Sequence, residues 1–184
     1  MTQELEILRA FVNTFSISNE TRKFQDDLPE LLSSRDAWSR RFGSFPCFSH
    51  LIESPEHLFE VRDVLRQFIE RTEGANDRLS DLFARMGLSL RVEASTSAVA
   101  ARAYIPGTVG VSGSLLCVAA DLIISGEMVK LKTCPDCRCV FVDNTRNSSK
   151  RWCGMTKGGP EGRACGTIAK VRAFRTRKAS STPA

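Results

Sequence analysis

The chain has 184 residues, 42% of them hydrophobic and 26% charged, with a net charge of +5. That is enough for one real core, with or without a small appendage, and no apolar run approaches the roughly 20 residues a membrane-spanning helix needs. Its seven cysteines are an odd number and its start, MTQELEILRAF, is polar, so a disulfide framework fits poorly and a reducing cytoplasm is expected.

In chain order, residues 5–15 (LEILRAFVNTF) are apolar with helical recurrence. A Ser-rich turn around Asp27 and Pro29 precedes a second helix in SRDAWSRRFG, with an N-cap at Ser34 and a stop at Gly43. A third helix opens at Ser54 with Pro55 in its first position and lines Leu58, Val61, Leu65, Phe68 and Ile69 along one face. Residues 76–86 give a fourth, using Leu79, Leu82 and Phe83. LSLRVEAS and AVAARAYIP alternate at period two around a Ser/Thr turn and predict a hairpin with one face on the helices. Residues 107–113 read as a loop and 115–124 as a buried helix leading into the C-terminal segment.

That segment carries the chemistry: TCPDCRCVFVDNTRNSSKRWCGMTKGGPEGRACGTIAKVRAFRTRK. A C-x2-C pair sets two thiolates on one tight turn, the bite a tetrahedral metal requires, so Cys134 and Cys137 form the first half-site. Fifteen residues separate Cys137 from Cys153, and eleven separate Cys153 from Cys165. These two must supply the second half, because His50 and His57 lie far away in the sequence. Zn2+ is the expected ion. Cys139 should alternate outward on a strand and is read as a non-ligand, while Cys47 and Cys117 are read as small buried hydrophobes. The spacing predicts a hairpin between 139–143 and 150–153, then a helix whose Ile168, Val171 and Phe174 pack on it, which together describe a treble-clef-like finger.

The run CPDC, FVDNTRN, KRWCGM and CG before a basic helix resembles the CGNR-type zinc finger of bacterial proteins regarded as transcription regulators. In that family the finger follows a ligand- or stress-sensing domain called ABATE. FVNTF, DDLPELLSSRDAWSRRFG and VAADLIISGEMVKLKTC are similar to it. Two departures stand out. Cys165-Gly166 continues Thr167-Ile168 where the signature has Asn-Arg, and TKGGPEGRA lengthens the usual gap before the fourth cysteine. A longer loop is compatible with metal binding because closure entropy grows slowly with length.

The expected architecture is thus α+β: residues 1–129 form a mostly helical domain with a small antiparallel hairpin, and residues 130–184 form the finger. Charge divides at the same place. Residues 130–184 hold 13 Lys and Arg against 3 acidic residues, a net +10, which leaves 13 against 18, a net −5, for residues 1–129. Zn2+ on four thiolates is about −2, so the segment's field remains strongly positive. A charge run is commonly only a solvated face. Here a rigid metal scaffold, the turn RNSSKR and a basic helix together point to DNA. Phosphate contacts are expected from Arg146, Lys150, Arg151, Lys170, Arg172, Arg175 and Arg177, with Asn147 and Ser148 as neutral donors. The alternative is an architectural zinc module that binds protein or RNA. A homodimer and a small-molecule ligand at residues 1–129 are left open. No enzyme is expected: H-E-x-x-H and G-x-S-x-G are absent, KGGPEGR lacks the Lys-Ser/Thr end of a phosphate loop, and Cys47 with His50 has no second pair.

Overall fold

Helix α1 (Gln3–Val12) starts where Thr2 Oγ1 accepts from the Leu5 amide, and it buries Leu5, Leu8 and Phe11. The structure is a computed structural model that describes residues 2–19, 21–43, 54–94, 99–106, 110–157 and 163–180. Cys47 and His50 lie outside the described residues.

Helix α1 ends at Val12, not at residue 15, because the chain turns into a short antiparallel hairpin, β1 (Phe15–Ile17) with β2 (Phe24–Asp26), that the sequence reading did not anticipate. Phe15 and Phe24 stack across it at 5.4 Å. Helices α2 (Leu28–Ser33) and α3 (Arg35–Phe42) follow, with Ser34 capping α3 by accepting from the Ala37 amide. Helix α4 (Pro55–Glu70) is the spine of the core and stops at Arg71, whose left-handed backbone (φ 56°) closes it.

Two arginines on α4 are buried with partners that justify them. The Arg62 guanidinium donates to both carboxylate oxygens of Asp26, at 2.5 and 2.8 Å, and to Thr14 Oγ1. Arg66 donates to the carbonyls of Val12, Phe15 and Arg138 at 2.7, 2.9 and 2.9 Å, tying α1 and β1 to the cysteine-rich segment. A buried cation without such acceptors would be strongly destabilising.

Helix α5 (Ala75–Arg85) packs on α4 through Leu79 and Leu82. The hairpin β3 (Ser89–Ala94) with β4 (Val99–Tyr104) follows in the expected place, but Leu90 and Val92 remain 58% and 69% exposed. Helix α6 (Val111–Ile124) meets β4 chiefly at its end, where the Ala103 amide donates to Asp121 Oδ1, so the rest of the ribbon extends past the core. Helix α6 also takes in residues 111–113, read from sequence as loop. Its apolar side completes the core with Leu115, Leu116 and Ala119. Among the described residues no helix is long and apolar enough to cross a membrane.

After a 3-10 turn (Glu127–Lys130), β5 (Leu131–Thr133) pairs antiparallel with β6 (Val140–Val142). Period two gives β6 two loyalties. Val140 and Val142 enter the main core, while Phe141 packs with Cys134, Cys137 and Cys165. The last helix, α7 (Cys165–Ser180), leaves that second cluster. The fold is therefore α+β, seven helices and three small antiparallel hairpins among the described residues.

Candidate metal centre

The partner of β6 differs from expectation. The C-x2-C knuckle is itself the turn of the hairpin, so the strand before it, β5, pairs with β6, whereas 150–153 is irregular. The Cys134 amide donates to the Cys139 carbonyl at 2.9 Å and the Arg138 amide to the Cys134 carbonyl at 2.8 Å, with Arg138 left-handed at φ 59°. Both knuckle thiols are thereby aimed to one side and buried.

Cys153 and Cys165 join them. All four Sγ atoms lie within 4.8 Å of one another, with Cys137–Cys153 at 3.5 Å and Cys153–Cys165 at 3.7 Å. Tetrahedral sulfur around zinc at about 2.3 Å gives edges of about 3.8 Å, so the cluster has the size of a closed site of four thiolates. The thiols are free, not disulfide-bonded. Cys139 stands outside the set and turns its thiol toward the Val140 carbonyl.

The crowded sulfurs push one another's pKa values in opposite directions. Hydrogen bonds from Cys134, Cys139 and Cys153 hold the Cys137 thiol far below its usual range. Cys153 is pushed up by its bonds to Cys134 and Cys137, and Cys165 is raised to about 12, first by burial and then by the Cys137 charge. A divalent cation reverses this, because coordinated thiols are deprotonated outright.

Two carboxylates that the sequence reading passed over organise the surroundings. Asp136, inside the knuckle, accepts from Arg163 Nε at 2.5 Å and from an Arg172 nitrogen at 3.2 Å, which fastens the start of α7. Its pKa lies below the ordinary value, chiefly through the Arg163 bond. Asp143 is fully buried and accepts from Lys132 Nζ, Thr145 Oγ1 and the amides of Thr145 and Lys150, which shapes the turn after β6. Burial would raise its pKa, but these bonds win and hold it well below the carboxylate range. The signal was present as Asp-Asn-Thr at a strand end, a turn former through its side chain.

Gly166 shows why a glycine follows the fourth cysteine. A Cβ there would lie 2.1 Å from Met155 Sδ and 3.1 Å from Trp152 Cδ1. Met155 can swing away, but the indole packed on the cysteines cannot. The Gly166 amide donates to the Gly154 carbonyl and Thr167 Oγ1 to the Met155 carbonyl, so α7 begins locked to the Cys153 loop. Residues 158–162 of the expected insertion lie outside the described residues.

The basic residues singled out from sequence fall into two groups. Arg146, Asn147, Ser148 and Arg151 are exposed on the turn, with Lys150 half-buried and its ammonium 5.0 Å from the Phe141 ring centre. Lys170, Arg172, Arg175 and Arg177 are exposed on α7. The helix does not lie on the hairpin as expected: Val171 and Phe174 are exposed, Phe174 at 61%. Sixteen helical residues span about 24 Å, whereas three-residue strands span about 10 Å, so the helix outruns the hairpin, and beyond its first turn Arg172 still reaches Asp136. Cys117, partly buried against the core, has its thiol pKa raised by burial.

Comparison with curated proteins yields no match. Residues 130–178, about a quarter of the chain, match the family model of the CGNR zinc finger. Over that span the chain is similar to this zinc finger, and the centre built from its four clustered cysteines binds zinc.

Proposed function

We propose that the protein is a DNA-binding transcription regulator of a bacterial cytoplasm, with no enzymatic activity, in which residues 1–129 act as an ABATE-like sensing or dimerisation part and the zinc segment holds DNA. The observation that carries this reading is α7. From Lys170 to Lys178 every residue is exposed, and five of the nine are Lys or Arg. Such a helix, anchored rigidly at one end by a metal ligand, can enter a groove or follow a phosphate track. The turn bearing Arg146, Asn147, Lys150 and Arg151 adds a second cationic element on the same module.

The test is binding of the zinc-loaded chain to duplex DNA across a salt series. Neutralising about five phosphates gives a slope of log affinity against log salt of about −4 to −5. Replacing Lys170, Arg175 and Arg177 with Gln is expected to shallow that slope by two to three units. A slope near zero would sink the reading. A second reading is favoured by exposed Val171 and Phe174: a zinc-built module that docks a protein or RNA. RNA that outcompetes every genomic DNA fragment, or nuclease-resistant capture of one protein, would select it.

A further inference from the structure

The C-terminal end of α4 and the zinc segment line an open groove of about 430 Å3, with Glu70 and Arg71 from the one and Ser148, Lys150 and Arg151 from the other. It merges, through Ile69, Arg71, Val129 and Leu131, with a second hollow of about 450 Å3 that is lined by Phe68, Ile123 and Met128. The two halves differ in chemistry.

In the first half the charges are unbalanced. Glu70 is held by Arg66 and Arg138, and Lys132 by Asp143. The guanidinium groups of Arg71 and Arg151 have no such partner among the described residues, and the Lys150 ammonium sits over an aromatic face. In the second half apolar surface is left open to solvent, with Val129 51% and Ile123 37% exposed. Arg71 and Val129 belong to both halves and mark the junction.

We propose that this groove binds a small amphipathic anion. A single phosphate or carboxylate head is held by Arg71, Lys150 and Arg151, and an aromatic or aliphatic body lies against Val129, Ile123 and Phe68. The volumes fall in the range of small-molecule sites, and among the described residues no carboxylate neutralises Arg71, Lys150 or Arg151. The inference deepens the sensing half of the proposed function and rests on it. Lys150 and Arg151 also belong to the cationic face assigned to DNA, so ligand and DNA draw on the same charges and oppose one another.

The probe is 8-anilinonaphthalene-1-sulfonate, an aromatic body with one anionic head, titrated by fluorescence into the zinc-loaded full chain without DNA. Binding saturates at one site and weakens about tenfold in Arg71→Gly and in Val129→Glu. Glycine suits the left-handed position of residue 71, and residue 129 is half-exposed, so both variants keep their circular dichroism and zinc. 2-Naphthyl phosphate displaces the probe, and inorganic phosphate does so at least about tenfold less well. Unchanged probe affinity in both variants overturns the proposal, as does displacement by inorganic phosphate as effective as by naphthyl phosphate. A flat salt response with DNA would remove the regulator reading and leave this result standing, and failure here leaves the DNA titration untouched.

Discussion

Asn13 does with one amide what a neighbouring strand does with its backbone. Its Nδ2 donates to the Val140 carbonyl at 2.7 Å and its Oδ1 accepts from the Val140 amide at 2.8 Å. Nothing in the sequence marks this residue: it sits inside LEILRAFVNTF, which reads as one helical stretch, and its partner lies 127 positions away. Asp143 was more legible, because a carboxylate before Asn-Thr is a local turn signal. The four ligand cysteines were the most legible, since metal spacing is written into the sequence itself. Asn13→Ala strands both polar groups of Val140, which is fully buried, at about 1–3 kcal/mol each. The expected loss is about 2–6 kcal/mol in urea unfolding. Asn13→Asp is expected to cost at least as much, because a carboxylate facing the Val140 carbonyl cannot donate. Stability equal to the parent in both variants would show that the amide pair is unimportant.

Among the elements, α4 and α5 were readable because their apolar spacing meets a core that wants it. The pairing of β6 was not, because a Cys-Cys knuckle serves as a hairpin turn without the Gly or Asn that normally announces one. Helix α7 misled in a different way. Its Ile168-Val171-Phe174 spacing satisfies a packing template, yet the surface to pack on ends after the first turn. Periodicity reports what a helix could bury and is silent about what lies opposite. The outer turns of α7 accordingly contribute little to the folded state, and exposed helices of this length are marginal alone. A chain ending after Arg172, which keeps the Arg172–Asp136 pair, is expected to retain its zinc and its unfolding free energy within about 1 kcal/mol, while DNA affinity falls at least about tenfold. Loss of zinc in that truncation would mean that the outer turns hold the centre.

The whole molecule turns on β6 lying between two clusters, Val140 and Val142 in one and Phe141 in the other. A boundary at residue 129, drawn from the change in charge, follows the chemistry of the surface. The packing beneath it is continuous across that point, since Leu131 also belongs to the main core. Arg66 strengthens the link by donating to Arg138 beside the knuckle. Zinc and the helical core are thus thermodynamically joined, and anything that binds only the folded state stabilises all of it. Elemental analysis should give about one zinc per chain. Cys153→Ser or a strong chelator is expected to remove it, lower the thermal midpoint, and speed amide exchange in α1 as well as in the hairpin. Exchange accelerated only beyond residue 130 would show that the two clusters fold independently.

The Asn13 amide has one more effect, and it concerns other molecules. A two-stranded hairpin offers an open edge, and an open edge recruits strands from neighbouring chains. Val140 is where β6 turns its free amide and carbonyl outward, and Asn13 already occupies both. The zinc hairpin is therefore closed to β-addition at Val140, and a chain lacking this side chain would leave that amide and carbonyl without a partner beside its metal.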